Sequence, residues 1–98
     1  MTSLAKEVEP RGWETKVLRD FFDGRRLKEI PASRKKRDVV LKQLATASQP
    51  GVRYRETDVN AVLREYHPDP ATLRRELVGA GLLERSQSVY WRPSAAAV

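Results

Sequence analysis

The sequence predicts an α+β domain in which three helices and a small antiparallel β-sheet share one core. The main observation is the stretch after Asp69, which reads as a helix, stops sharply at Gly81 and leads into a two-stranded ribbon over 82–92. Two further helical patterns precede it, with a short alternating segment between them. A helix followed directly by a β-ribbon is how a winged helix-turn-helix ends, so we expect that fold, with an extra helix at the N-terminus.

The N-terminal region is predicted to hold a disordered lead and then the extra helix. Residues 1–12 are polar and lack periodicity, and Pro10 and Gly12 are helix breakers. The extra helix is placed at 15–22, where Thr15 serves as its cap and the apolar edge consists of Leu18, Phe21 and Phe22. The following Gly24 would end this helix.

The first of two central helices is placed at 34–47. Ser33 can cap it, and its buried face is predicted to consist of Val40, Leu41, Leu44 and Ala47. The residues before it, 25–31, are too few for a helix ahead of Pro31. We therefore interpret them as an extended connector or a short strand.

The second central helix is placed at 58–66 and is preceded by a short strand. Residues 52–55 alternate after a turn at 49–51, and a strand there is the usual partner of the C-terminal ribbon. Thr57 can cap the helix, whose predicted core face consists of Val59, Val62, Leu63 and Tyr66. Two prolines then force a turn, so the next helix is separate but adjacent.

The last helix is placed at 70–80, and both of its ends carry clear signals. Asp69 is a good N-cap, Pro70 suits the first helical position, and the apolar stripe consists of Leu73, Leu77 and Ala80. The ribbon is predicted to pair 82–85 with 89–92, so that one of Tyr90 and Trp91 faces the core and the other faces solvent or a neighbouring helix. The domain then spans 13–93, and the tail 94–98 is predicted to be disordered.

Composition limits the classes of function that the chain can serve. The net charge of +6 and the isoelectric point near 10.1 favour a polyanionic partner, although a GC-rich genome would also raise the arginine content. There is no cysteine and only one histidine, His67, so the sequence predicts no metal site and no cofactor. Without an apolar run that could span a bilayer or serve as a signal peptide, we expect a cytoplasmic protein with no membrane partner.

Much of the positive charge lies in one stretch. Residues 24–37 carry seven basic side chains against Glu29, a net +6 that equals the charge of the whole chain. Four of these cations, Arg34, Lys35, Lys36 and Arg37, fall in the first turn of a predicted helix, where the helix dipole disfavours positive charge. A bound phosphate would relieve that cost; the alternative is an ordinary solvated face.

Several segments together resemble one bacterial family. They are Phe22-Asp-Gly-Arg-Arg-Leu-Lys-Glu-Ile-Pro31, Lys36-Arg37 with Val40-Leu41, Tyr54-Arg-Glu56 with Val59-Asn60, Thr72-Leu-Arg-Arg-Glu-Leu-Val78, Gly81-Leu-Leu-Glu-Arg85 and Tyr90-Trp91. On these residues the chain resembles the domain-of-unknown-function family number two thousand and eighty-seven, over about residues 21–92. That family occurs alone or behind an ArsR-like helix-turn-helix in predicted transcriptional regulators. The resemblance implies regulation linked to DNA, but a domain that follows another DNA reader could instead serve for pairing or sensing.

The predicted site is the outer face of the last helix, together with the basic turn and the ribbon. At 100° per residue, Arg75 lies nearly opposite the Leu73 stripe, with Thr72 and Arg74 at its flanks. Arginine can bind guanine through two hydrogen bonds, and Thr72 or Arg74 could hold phosphate. In the ribbon, Gln87 lies at the tip and Arg85 and Arg92 at the base; we include Gln87 and Arg92 in the predicted DNA-binding set.

Two other interpretations remain open at the level of sequence. Arg74 could pair with Glu65 or Glu76, which would leave Arg75 merely exposed. Val78 also points away from the Leu73 stripe, and an uncovered valine there would indicate dimerisation or docking to another protein. RNA binding has less support because no paired aromatic motif is present. The scattered acids and His67 form no catalytic motif, so we expect a double-stranded DNA-binding regulator, monomeric or homodimeric, rather than an enzyme.

Overall fold

The computed structural model describes residues 2–93, with side chains over 12–93. The helices in this part of the chain are α1 (Thr2–Phe21), α2 (Arg34–Ala45), α3 (Glu56–Arg64) and α4 (Pro70–Gly79). The strands are β1 (Phe22–Asp23), β2 (Arg26–Leu27), β3 (Arg53–Arg55), β4 (Glu84–Ser86) and β5 (Val89–Trp91). The predicted α+β class is confirmed, and the predicted tail over 94–98 lies outside the described residues.

Helix α1 corrects the prediction for the N-terminal region. It begins at Thr2 rather than Thr15, so residues 2–12 are helical where a disordered lead was predicted, and Thr15 is not a cap. Residues 4–7, Leu-Ala-Lys-Glu, are strong helix formers, and Pro10 and Gly12 weaken a helix without excluding one. A pattern search for an apolar stripe misses such a segment because its helicity does not depend on one.

A small hairpin follows α1. Phe22 pairs with Leu27 and Asp23 with Arg26 in antiparallel register, which confirms a short strand in the predicted connector. Gly24 has φ 63° in the turn of this hairpin, so it turns the chain between two strands rather than simply ending the helix. The amide of Leu27 also donates to the carbonyl of Tyr66 over 2.7 Å, which fastens the hairpin to the end of α3.

The two central helices begin in different ways. Ser33 caps α2 as predicted, since its hydroxyl accepts from the amide of Lys36, but the helix ends at Ala45 rather than 47. Helix α3 begins at Glu56 directly after β3, with Arg55 at the cap position, so the predicted cap at Thr57 is wrong. The end of the strand fixes where this helix starts, and acidic residues in its first turn interact favourably with the helix dipole.

Both predicted ends of α4 are confirmed. The carboxylate of Asp69 accepts from the amide of Thr72 over 3.2 Å, and Pro70 opens the helix. Gly81 follows with φ 77°, a conformation that glycine adopts without steric cost. The amides of Leu82 and Leu83 then donate to the carbonyl of Leu77, so these two residues close the helix instead of starting the ribbon.

The C-terminal sheet has the strand order β3-β5-β4, antiparallel throughout. Tyr54 pairs with Tyr90, and Arg85 pairs with Tyr90 on the other side, so the predicted pairing of the segment 52–55 with the ribbon is confirmed. Tyr90 is buried and Trp91 is half-buried on the opposite face. This agrees with the alternation predicted for the two aromatic residues.

One apolar core joins the helices and the sheet. Its buried members are Val17, Leu27, Val39, Val40, Leu41, Leu44, Ala45, Leu63, Leu73, Leu77, Leu83 and Tyr90. Three predicted core residues are instead exposed, namely Ala47, Val62 and Ala80. Two of them lie beyond the ends of their helices, and Val62, 38% exposed, lies beside a groove rather than under another element. Within residues 2–93, no helix is both long and apolar enough to cross a membrane.

Candidate nucleic-acid interface

The outer face of α4 lies between two basic elements. Leu73 and Leu77 fix the buried side of the helix, so Arg75 points away from the core at 100° per residue. On one flank Glu76 contacts Arg37 in the first turn of α2. On the other flank Val78 shares a cleft with Arg85 of β4. The structure therefore brings the basic turn, the predicted reading helix and the ribbon into one region.

Arg37 differs from the three cations before it in the first turn of α2. Its Nε lies 3.3 Å from Oε1 of Glu76, and its Nη1 donates to the carbonyl oxygens of Pro31 and Ala32 over 3.4 and 3.2 Å. Arg34, Lys35 and Lys36 are exposed and have no side-chain partner among residues 12–93. Arg37 thus anchors the turn, and the other three cations face solvent.

Thr72 belongs to the cap of α4. Its hydroxyl donates to Oδ2 of Asp69 over 2.7 Å, and Arg75 approaches the same hydroxyl at 3.5 Å. The bonds from the Thr72 side chain and amide lower the pKa of Asp69, with smaller contributions from His67 and Arg75. Asp69 is therefore a stable anion next to Arg75, and the Thr72 hydroxyl is already engaged.

Arg74 is held by protein groups. Its guanidinium donates to Oδ1 of Asn60, lies 3.9 Å from Oε2 of Glu56 and stacks 5.7 Å from the centroid of the Tyr90 ring. Only 14% of its side chain is exposed. The Tyr90 hydroxyl donates to the same Glu56 over 3.0 Å. Arg74 therefore joins α3, α4 and β5, and neither Glu65 nor Glu76 is its partner.

A cleft of about 310 Å³ opens between α4 and the ribbon. Arg74, Arg75 and Val78 line it from α4, and Arg85 and Tyr90 line it from the ribbon. The guanidinium of Arg85 lies 5.8 Å from the Tyr90 ring centroid. The predicted site does not include Arg85, although its position opposite Tyr90 in an alternating ribbon indicates that it lies on this face. Val78 is half-buried here and is not an open apolar patch.

The two ribbon residues that were predicted to contact DNA lie in different surroundings. Gln87 is exposed at the tip, with φ 57°. Arg92 is half-buried, and its Nη1 donates to the carbonyl oxygens of Ser48 and Ala45 over 2.8 and 3.5 Å at the end of α2. A cation near the C-terminus of a helix interacts favourably with the carbonyl groups there. Arg92 thus secures the base of the ribbon to α2.

Two other cations of the 24–37 stretch, Arg25 and Arg26, contact the end of α3. Nη2 of Arg25 lies 3.0 Å from Oε1 of Glu65, and Nη1 of Arg26 donates to the Glu65 carbonyl over 3.4 Å. Tyr66 and then Glu65 raise the pKa of Arg25. The basic stretch is thus divided, since Arg37 contacts α4 whereas Arg25 and Arg26 contact the end of α3.

His67 has a local role in the turn between α3 and α4. Its Nδ1 accepts from the amide of Asp69 over 3.1 Å. In the described part of the chain, no group of three histidine, aspartate or glutamate side chains is placed to hold a metal ion. His67 is thus accounted for as a turn residue.

The fold and the site define a winged-helix-like α+β domain with a basic face built around α4. The chain belongs to the family described as "Uncharacterized protein conserved in bacteria (DUF2087)", whose model matches residues 26–92. The match begins at β2 and ends just after β5, so it includes the whole candidate interface and leaves α1 outside. No curated protein matches the chain, and no solved structure matches it.

Proposed function

We propose that this protein binds double-stranded DNA and acts as a bacterial transcriptional regulator. The proposal rests on one observation: α4 lies between two elements that carry exposed cations. The first turn of α2 contacts α4 through Arg37 and Glu76 and carries Arg34, Lys35 and Lys36, and the ribbon carries Arg85, which lines the same cleft as Arg75. A strip of positive charge about a projecting helix suits a duplex, because phosphates flank the groove that the helix would enter.

The candidate residues take different roles in this proposal. Arg75 points outward from α4 and would form two hydrogen bonds with guanine in the major groove. Arg34, Lys35 and Lys36 would contact phosphates on one strand, and Arg85 with Gln87 would do so from the ribbon. Arg37, Arg74 and Arg92 support the scaffold, since each is bound to protein oxygens. A cytoplasmic location and a binding rather than catalytic role are part of the same proposal.

Salt dependence of DNA affinity tests the proposal. Fluorescence anisotropy with a labelled random duplex should give a steep fall in affinity as salt rises, with a slope of about −0.9 for each phosphate contacted. The double variant R34A/K35A should lower the slope by about two units, since two phosphate contacts are lost. The matched variant K42A/R64A removes the same charges from exposed positions that have no side-chain partner in the described residues, and it should leave the slope nearly unchanged. Equal effects of the two variants, or no salt-sensitive binding, would contradict the proposal.

A second candidate function is a dimerisation or protein-docking module. Val52 and Val62 are exposed large apolar residues, 41% and 38% accessible, and Val62 lines an apolar groove with Val59 and Tyr54. Sedimentation of the free protein, run beside gel shifts on genomic fragments, separates the two functions. A tight dimer that retains no DNA favours this second function, whereas retention that is lost with added salt favours the first.

A further inference from the structure

A second cleft, of about 510 Å³, lies away from the α4 surface. It is bounded by the C-terminal half of α1, the turn of the β1–β2 hairpin, α2 and the end of α3. Its lining side chains combine apolar and cationic groups, namely Thr15, Leu18, Arg19, Phe22, Arg25, Gln43 and Tyr66. None of the described residues that line it is acidic. A cleft with this lining suits a ligand that is both apolar and negatively charged.

The apolar wall of the cleft is aromatic. Phe22 at the start of β1 and Tyr66 just after α3 are both half-buried, and Leu18 of α1 adds an aliphatic surface. Both aromatic residues pack against the main core on one side, so their positions are fixed before any ligand enters. These side chains suit a planar aromatic ring, because an aromatic pair is stabilised by more than the burial of its surface area alone.

The cationic wall consists of two arginines with capacity for a further anion. Arg19 is exposed and has no partner among residues 12–93. Arg25 pairs with Glu65 at 3.0 Å, but the two side chains are 72% and 61% exposed. Such a solvated pair contributes little, so a carboxylate can share or displace Glu65 at low cost. The Arg25 guanidinium also lies 5.4 Å from the centroid of the Tyr66 ring, so charge and aromatic surface adjoin.

We propose that this cleft binds a small aromatic carboxylate. Arg19 and Arg25 hold the carboxylate, the rings of Phe22 and Tyr66 enclose the aromatic part, and the side-chain amide of Gln43 is free to donate a hydrogen bond. Charge-assisted bonds from guanidinium to carboxylate are among the strongest in proteins. The proposal is independent of DNA binding, since the cleft shares no residue with the α4 surface.

The test is a titration of the ¹⁵N-labelled full chain with 2-naphthoate, followed by NMR at the amide of Gly24 and the side-chain amide of Gln43. Saturable shifts confined to the cleft are expected. The variant R19Q/R25Q should weaken binding about tenfold or more, because the charge-assisted hydrogen bonds from both arginines are lost. The single variant R19Q should also weaken naphthoate binding. Because Arg19 has no partner among residues 12–93, this variant tests the site without disturbing the ion pair between Arg25 and Glu65.

Two controls make the result decisive. R55Q/R64Q removes two exposed arginines outside the cleft and should leave naphthoate binding unchanged. Uncharged 2-naphthamide should bind more weakly than naphthoate, since it does not pair with the arginines. Shifts that do not saturate, equal loss in R55Q/R64Q, or equal binding of the amide would each overturn the proposal. If the protein binds naphthoate but does not bind a DNA duplex, that result contradicts the proposed DNA-binding function and supports the proposed cleft.

Discussion

The guanidinium of Arg37 lies 3.3 Å from the carboxylate of Glu76, and this contact joins the first turn of α2 to the middle of α4. It holds the α2 turn, which carries the exposed Arg34, Lys35 and Lys36, against α4. It also removes Arg37 from the cations available to a ligand. One ion pair therefore both assembles the candidate interface and reduces its charge.

The variant R37A is expected to act on stability more than on DNA contact. It removes the Glu76 pair and the bonds to two backbone carbonyls, a loss of about 1–2 kcal/mol in the free energy of unfolding for this partly exposed group. Urea unfolding followed by circular dichroism measures the loss. The salt slope of DNA affinity should change less than in R34A/K35A. A full unit of slope lost with no change in stability would instead assign Arg37 to a phosphate.

The adjacent residues Arg74 and Arg75 should separate stability from recognition. R74A leaves Asn60 without its partner, removes the ion pair to Glu56 and should lower the free energy of unfolding by about 2 kcal/mol. R75A, at an exposed position, should change it by less than about 0.5 kcal/mol. Chemical denaturation of the two variants side by side checks this difference, and equal values would mean that the Arg74 network contributes nothing to stability.

On DNA, R75A is expected to reduce discrimination between sequences. If Arg75 binds a guanine through two hydrogen bonds, its loss should cost about 1–3 kcal/mol on a selected site and much less on random duplex. The comparison variant R85A should weaken both kinds of DNA alike, since the ribbon arginine is assigned to phosphate. Competition binding on a selected and a scrambled duplex measures the ratio. Equal loss by R75A on both would assign that residue to the backbone as well.

A substitution at Gln87, at the tip of the ribbon, is expected to stabilise the fold. Gln87 has φ 57° at the first position of a two-residue loop, where glycine is favoured. Q87G should raise the free energy of unfolding by about 0.5–1 kcal/mol, because it relieves a left-handed conformation that costs more than the entropy glycine adds to the unfolded chain. Thermal denaturation measures this gain. An unchanged DNA affinity in Q87G would remove Gln87 from the interface while leaving the rest of it intact.

The cap of α4 should make stability depend on pH at the acid end. The pKa of Asp69 is lowered in the folded state, chiefly by Thr72, so its ionised form stabilises the fold fully above the ordinary aspartate pKa. That contribution is lost as pH falls through the lowered value, below about pH 4. D69N keeps an oxygen for the cap but does not titrate. The difference in urea midpoint between wild type and D69N should therefore shrink from neutral pH to about pH 3, and a constant difference would contradict the assignment.

Local patterns predicted the elements whose signals lie within a few residues of one another. The cap at Asp69, the stripe of Leu73 and Leu77 and the glycine at Gly81 placed α4 within one residue. The start of α3 was misplaced because β3 runs straight into it. The start of α1 was missed because residues 2–12 carry no apolar stripe. The start of a helix was predicted wrongly where it is set by an adjoining strand, as in α3, or by helix propensity without an apolar stripe, as in α1.

The sequence by itself determined the order of helices and strands, the charge of the 24–37 stretch and the outward direction of Arg75, because each depends on spacing along one element. Only the tertiary structure decided which cations are available. Arg74 meets Glu56, Arg92 meets the carbonyl of Ser48 and Arg37 meets Glu76, each across a distance in sequence that no local period spans. The sequence does not show whether an arginine side chain binds another part of the protein or is exposed to solvent. The groups that bind these arginines are distant in sequence and come near only when the core forms.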